Sequence, residues 1–218
     1  MADHPAAPDR HPPRRDAASS RKALLDAARR EFAAHGLAGA RVDRIAAGAG
    51  VNKQLVYHYF GGKDDLYREV LEGVYAEIRT LEMRLDLDGL PPQAAIAKLA
   101  GFSFDYLARH PDFIALLNDE NAQGARHVAG STRLPEMNSP LVAAIDLSLR
   151  RGVAEGVFRD RVDAVELYIS IAGLAYFYFS NRRTLSSIFG RKLESRRAIA
   201  SYRRHVIELV LNGLRVAP

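Results

Sequence analysis

The 218-residue chain contains no cysteine and no tryptophan, and only three methionines. Without cysteine there is no disulfide scaffold and no thiolate-ligated zinc or iron–sulfur centre. That composition fits a reducing cytoplasm, the expected location. Long apolar runs are missing as well. The most apolar stretch, LYISIAGLAYFYF at 167–179, is shorter than the roughly 18–20 residues of a spanning helix, and Arg182 and Arg183 follow it. It reads as a buried helix of a soluble protein, so no membrane partner is expected. The opening MADHPAAPDRHPPRRDAASS has no apolar region of the kind a secretory signal needs.

Enzyme motifs are equally scarce. Gly62 and Lys63 resemble the end of a phosphate loop, but Tyr57 stands where that loop has glycine and Asp64 where it has serine or threonine. There is no G-x-S-x-G elbow. No two of the seven histidines lie at the three-to-five spacing of a helical metal site. Asp119 and Glu120 are adjacent, so a helix turns them about 100° apart and they make a poor acid–base pair. No enzyme, metal or cofactor is expected.

What the chain does have is local positive charge. Residues 20–63 hold eight basic side chains against three acidic, whereas the segments on either side balance, so the net charge of +5 sits in this one segment. A localised basic face is an electrostatic footprint for a polyanion.

Punctuation by proline and glycine divides the chain into helices. Pro5, Pro8, Pro12 and Pro13 mark residues 1–19 as a disordered arm, whose Arg10, Arg14 and Arg15, together with Arg21, either enter a minor groove or stay mobile. Ser19 or Ser20 caps a first helix with the stripe Leu24, Ala27, Ala28 and Phe32, ended by Gly36. DRIAAGAG and NKQLVYHYF make two short helices, and a long fourth runs from about Lys63 to Leu85. Further helices span about 93–109, 111–123, 140–155 (with Ser139 and Pro140 as cap and first position), 163–187 and 194–214. No stretch alternates as a strand does, so the fold class is all-α, with a head at 20–66 and a helical regulatory and dimerisation part at 67–218.

The stretch GVNKQLVYHYFGGKDDL carries the functional argument. Ile45, Ala49, Val56, Tyr59 and Phe60 fall on inner faces, and Gly50 suits a tight turn, which is the packing pattern of a helix-turn-helix. Lys53 and Tyr57 are four apart, as are Gln54 and His58, so all four project from the other side near the N-terminus of a recognition helix. Gln and Lys suit base edges, whereas Tyr57, His58 and Lys63 suit phosphate oxygens. An inert packing role for Tyr57, or an inert surface role for His58 or Arg41, is the alternative.

LLDAARREFAAHGLAGARVDRIAAGAGVNKQLVYHYFGGKDDL resembles the N-terminal domain of the TetR (tetracycline repressor) family over about residues 20–70. By position, that resemblance assigns DNA contact to Arg41, Asn52, Lys53, Gln54, Leu55, Tyr57, His58 and Lys63. Arg41 departs from the family's Ser or Thr and cannot accept a capping bond, so the cap of the second helix comes from Asp43 or is missing.

The resemblance further implies a homodimer that binds double-stranded operator DNA and a C-terminal bundle holding a small-molecule effector. Side chains turned inward by helical phase are Phe102, Tyr106, Phe113, Asn118, Asn121, Tyr168 and Tyr176; their aromatic character points to an apolar or planar effector, and an ordinary core or interface role is the alternative for each. The helix VELYISIAGLAYFYFSN is apolar on nearly every face, as expected when a helix packs on more than one side. With Phe179 on it and Ile207, Val210, Leu211 and Leu214 on the last helix, it is expected to form a four-helix subunit interface. The resulting reading is a transcriptional repressor released from a palindromic operator. The rival readings are an effector-independent architectural DNA binder and a protein docked on an anionic membrane.

Overall fold

The computed structural model describes residues 17–216. Most of the expected arm, with Arg10, Arg14 and Arg15, lies outside them. All regular structure among the described residues is helical. The helices are α1 (Ala17–Gly39), α2 (Val42–Ala49), α3 (Gln54–Phe60), α4 (Lys63–Met83), α5 (Pro92–Arg109), α6 (Pro111–Ala122), α7 (Arg126–Ala129), α8 (Arg133–Ala154), α9 (Ala164–Phe189) and α10 (Arg196–Leu214).

Most boundaries follow local chemistry. Asp163 opens α9 by accepting the N–H groups of Val165 and Glu166, and Ser195 opens α10 by accepting that of Ala198. Prolines occupy the first positions of α5 and α6, where a missing N–H costs nothing. Gly36 interrupts α1 with φ 63 and ψ 175, close to where an end was expected. Gly50 closes α2 in the left-handed region, φ 67. The expectation for α2's start is settled as a missing cap: Arg41 makes no side-chain capping bond. Its N–H instead donates to Glu31 Oε1 at 3.0 Å, and the same carboxylate receives Arg44 Nε at 2.7 Å.

Two boundaries are corrected. α1 begins at Ala17, so Ser19 and Ser20 lie inside the helix rather than capping it. Ser139 and Pro140 do not begin a helix; α8 starts at Arg133 and runs through Pro140. Ser131 Oγ accepts the N–H groups of Arg133 and Leu134 at 3.3 and 3.4 Å, so nucleation occurs upstream. Buried Leu134 and Leu141, seven residues apart, then hold one face of the helix down. Packing of that face outweighs the hydrogen bond lost at the proline.

Two apolar clusters organise the molecule. The first is continuous from the head (Leu24, Phe32, Ile45, Val56, Phe60) through Leu66 and Tyr67 of α4 to Phe104, Tyr106, Leu116 and Tyr178. The second fills the far end of the bundle, with Leu87, Leu99, Ile145, Phe158, Ile171 and Leu214. Head and lower bundle therefore share a core. Polar ties reinforce the joint: Arg29 Nη1 reaches Glu77 at 2.6 Å and Arg29 Nε reaches Asp112 at 2.5 Å. Arg21 belongs to this joint rather than to a free arm, because it pairs with Glu69 and lies 5.0 Å over the Phe60 ring.

Asp119 of α6 sits closest to the kink in α1. A Cβ added at Gly36 would come 2.5 Å from its Oδ1, at a backbone φ of +63. Gly36→Ala is therefore expected to lower the unfolding free energy by about 1–3 kcal/mol in urea titrations, with the carboxylate displaced as well as the backbone strained. Gly156→Ala, at φ +70 with open space around it, carries the backbone strain alone and is expected to cost less.

Candidate nucleic-acid interface and buried polar cluster

On α3 and the turn before it, the side chains divide by face. Val56 and Phe60 are buried, and Leu55 and Tyr59 are half-buried against the head core. Asn52, Lys53, Gln54, Tyr57 and His58 are exposed, Tyr57 at 54 % although it is a large aromatic. That exposure removes the packing alternative for Tyr57 within one chain. His58 stands edge-on to Tyr59 at 5.0 Å. Lys53 Nζ lies 3.3 Å from Asp43 Oδ1, an exposed pair that a stronger anion can displace. Arg41 is exposed beside this face.

Three of the expected contacts have structural duties that their sequence positions did not reveal. Asn52 Oδ1 accepts the N–H of Gln54 at 2.9 Å and so shapes the turn into α3. Leu55, expected as a DNA contact, is half-buried against the head core, on the side of Tyr59 four residues on. Lys63 Nζ donates to the carbonyls of Leu37 at 2.8 Å and Ala40 at 3.3 Å, tying the end of α1 to the start of α4.

The residues expected to line an internal pocket do not form one group. Phe102, Tyr106 and Phe113 do come together: the Phe102 and Tyr106 rings are 6.0 Å apart, and Tyr106 and Phe113 meet edge-on at 5.7 Å. Tyr75 of α4 joins them at 5.5 Å from Phe113. Burial pushes its hydroxyl up to about 12. Asn118 and Asn121 are corrections. Both are exposed; Asn121 donates to the Leu117 carbonyl of its own helix, and Asn118 accepts from the Tyr176 hydroxyl across to α9. Tyr168 instead receives Arg79 Nη2 at 2.5 Å, with the guanidinium 5.1 Å over its ring.

Arg79 introduces a feature that apolar periodicity did not reveal. Arg79 is 6 % exposed and Glu82 2 %, and Arg79 Nη1 lies 2.7 Å from Glu82 Oε2 outside hydrogen-bonding angles. Arg79 Nε, both Glu82 oxygens, Ser103 Oγ and Tyr106 Oη have no hydrogen-bond partner among the described residues. Burial pushes the Glu82 carboxyl up to about 7 against the pull of Arg79. Burial likewise raises the Tyr106 phenol. Unpaired polar atoms at this density inside a bundle cost stability, and such groups concentrate at ligand sites. A signal was available in the sequence: Glu72, Tyr75, Arg79 and Glu82 recur at three- and four-residue spacing, a second and polar stripe on α4.

The residues expected at a subunit interface pack largely within the single chain. Phe179, Val210 and Leu214 are buried within the single chain, and Ile207 and Leu211 are half-buried against its second core. The other face of α9 is the exposed one. Val165, Ile169, Gly173 and Phe177 follow each other at four-residue intervals, with Ile169 61 % and Phe177 56 % exposed, and Leu209 of α10 is exposed too. A groove of about 610 Å³ runs between α9 and α10 on this side, lined by Ile169, Gly173, Leu209 and Gly213 among others. Among the described residues no helix is long and apolar enough to cross a membrane.

Comparison with known proteins agrees with this architecture. Residues 24–70 match the family described as bacterial regulatory proteins, tetR family, and residues 92–210 match the tetracyclin repressor-like C-terminal domain. The chain is 36 % identical over 196 residues to the HTH-type transcriptional repressor NicS of Pseudomonas putida, covering 90 % of this chain and 92 % of that protein. It is 35 % identical over 162 residues to the HTH-type transcriptional repressor SCO4008 of Streptomyces coelicolor, covering 74 % and 79 %. Among solved structures, the transcriptional regulator SCO4942 of Streptomyces coelicolor superposes with a TM-score of 0.65 at 25 % identity, over 89 % of this chain and 98 % of that one. With both domains matched in order on one all-helical chain, the protein belongs to the TetR family of DNA-binding transcriptional regulators and is not an enzyme.

Proposed function

We propose that the protein is a homodimeric repressor whose two heads read a near-palindromic operator and are released from it by a small-molecule effector. The observation that carries this reading is the division of α3. An apolar half sits in the head core, and the opposite half offers Lys53, Gln54, Tyr57 and His58 to solvent without a structural need for any of them. Lys53 and Gln54, at the N-terminal end of α3, reach base edges. Arg41, Tyr57, His58 and the remaining donor of Lys63 engage phosphates and fix register. Asn52 and Leu55 serve by holding the turn and seating the helix. The bounds 20–66 and 67–218 separate reading from regulation, although the two parts share a core.

Subunits pair through the exposed stripe of α9 with Leu209 of α10. The large exposed apolar side chains there, arrayed in one line, support a covered face rather than a solvated one. The effector enters among Tyr75, Phe102, Tyr106, Phe113 and Tyr168. An aromatic body would replace aromatic contacts there, and a polar group would satisfy Arg79, Glu82 or Ser103. Its differential affinity for a bundle with α6 displaced would be passed to the head, changing head separation from the value that fits about one helical turn of DNA, roughly 34–36 Å.

Gln54→Ala and Tyr57→Ala, both at exposed positions, are expected to leave thermal unfolding unchanged. Each is expected to weaken binding to duplex from upstream of the protein's own coding segment by about 10- to 100-fold in a fluorescence titration. Wild-type binding no stronger to that duplex than to a scrambled one would favour the architectural alternative. Phe177→Glu is expected to convert the dimer to monomer in sedimentation velocity and to remove high-affinity operator binding with it.

The buried carboxyl gives a separate test. Because the folded state raises Glu82 from 4.5 to about 7, that state holds its proton more tightly than the unfolded chain. The Glu82 contribution to stability is therefore fully present below about pH 4.5 and is lost as pH rises through 7, by roughly 2–4 kcal/mol. The stability difference between wild type and Glu82→Gln is expected to shrink or reverse over that window. A pH-independent difference would show that the carboxyl is ordinary.

A further inference from the structure

Over residues 64–218 as a whole, basic and acidic side chains balance at twenty each, but they are not evenly spread. Residues 182–197, RRTLSSIFGRKLESRR, hold six basic side chains against one acidic, a local excess equal to that of the whole 20–63 segment. Glu194, the single carboxylate, lies 3.6 Å from Arg182 Nε and 3.5 Å from Arg183 Nε. Arg191, Lys192, Arg196 and Arg197 are exposed, and among the described residues no ion pair within 4 Å neutralises any of them. On the reading face, by comparison, Lys53 is paired with Asp43.

The fold puts this corner at the head end of the bundle. α5 runs toward the head: its last turn leads into α6, which Arg29–Asp112 and Leu37–Asp119 join to α1. α9 runs in the same direction, since Arg79 of α4 meets Tyr168 near its start while Ser180, Arg182 and Arg183 line a cleft with Pro111, Ile114 and Asn118 of α6. Phe104 and Phe179 are level, 4.8 Å apart. Beyond that level α5 continues five residues and α9 ten. At 1.5 Å per residue, α9 projects roughly 7 Å past the end of α5 before the chain turns into α10. Exposed Ile188 lies about three helical turns beyond exposed Phe177 and on the same side of α9. In the proposed dimer, paired through the α9 stripe with both heads facing one DNA, the two corners lie beside each other on the side of the heads.

We propose that this paired corner engages the phosphate backbone of operator DNA between the two half-sites, as a third contact that carries no sequence information. The inference rests on the dimeric DNA-binding reading given above. Exposed cations grouped on a protruding turn, without an ion pair among the described residues, are suited to a polyanion, where each engaged phosphate releases condensed counterion. The head reads; the corner adds affinity, salt dependence and a preference for a spacer that can approach it.

The test uses full-length protein with Arg191→Gln, Lys192→Gln, Arg196→Gln and Arg197→Gln combined, titrated at several salt concentrations against the upstream duplex and a scrambled duplex. Loss of phosphate contacts is expected to flatten the slope of log K against log salt by about one unit for each contact, at least two in all, and to weaken both duplexes by a similar factor. The ratio between the duplexes is expected to stay at its wild-type value, whereas Gln54→Ala collapses that ratio with the slope nearly unchanged. Glu194→Lys, which frees Arg182 and Arg183, is expected to steepen the slope. Removing four cations from the far end (Arg84, Arg150, Arg161 and Arg215) is expected to leave it as in wild type.

A wild-type slope in the corner variant overturns the proposal and leaves the regulator reading standing. Corner-dependent binding to phosphatidylglycerol vesicles with an unchanged DNA slope would also overturn it, in favour of a lipid surface. Wild type that binds neither duplex removes the regulator reading itself, and the corner proposal with it.

Discussion

The carboxylate of Asp119 is the contact through which the reading head and the bundle become one object. It accepts the Leu37 N–H at 2.9 Å, just past the kink in α1, the Tyr67 hydroxyl at 2.8 Å, and Gln123 Nε2 at 2.9 Å. Leu37 belongs to the head, Tyr67 to the long helix and Gln123 to α6's own end. The approach is close enough that Gly36 has no room for a side chain. Charge-assisted bonds of this kind are stronger than neutral ones, and here they converge on one residue in a half-buried setting. The first turns of α4 therefore cannot move relative to α6 without breaking them.

The neighbours of Asp119 extend the same logic. Asn118 bonds to Tyr176 and Ser180 of α9, Asp119 to the head, and buried Glu120 to His127 Nδ1 at 2.8 Å and to the backbone N–H groups of His127 and Val128 in α7. Three consecutive residues of one short helix thus hold three different parts of the chain. Under the proposed reading, α6 needs no long pathway to transmit a ligand's presence. It lies between the aromatic group around Phe113 and the head, and a rotation that served the ligand would pull on Leu37 and Tyr67 together. The buried, incompletely bonded Arg79 and Glu82 fit the same economy. A bundle selected for stability alone would carry apolar side chains there, because a buried ion pair with poor geometry repays little of its desolvation.

What could be read in advance depended on how local the determinant was. Helix identity and most helix ends followed from caps, glycines and prolines, which act within a few residues. The start of α8 escaped because Ser131 and the packing of Leu134 outrank the Ser139–Pro140 signal, and that packing is tertiary. The division of α3 was legible because both of its faces have strong and opposite chemistry. Position within a family motif says nothing of phase, and Leu55 lies half-buried against the head core. On α9 the apolar character predicts two packed sides, of which the single chain covers one and leaves the other exposed. Which side meets its own chain depends on where α5 and α8 lie, and Phe179 is on that side. The polar stripe of α4 was passed over because a search for apolar periodicity does not register Arg and Glu at core positions. The basic corner was hidden by averaging: a balanced count over 155 residues concealed a local excess.

Charge also settles how the molecule presents itself before any contact forms. With residues 20–63 and 182–197 set aside, the rest of residues 64–218 carries fourteen basic side chains against nineteen acidic. The two basic segments lie at the same end, since α6 joins the head to the end of the bundle from which the corner projects. Two segments that each carry a net excess of five positive charges therefore share that end of the molecule and set up a positive field there. Such a field acts beyond contact distance, over roughly a Debye length of 8–10 Å, and orients the approach to a polyanion. Under the proposed reading, an anionic surface drawn in by that field meets the heads and the corner first. Specificity then resides in a few side chains of α3, which can act only if the molecule arrives facing the groove, and the placement of charge favours that arrival.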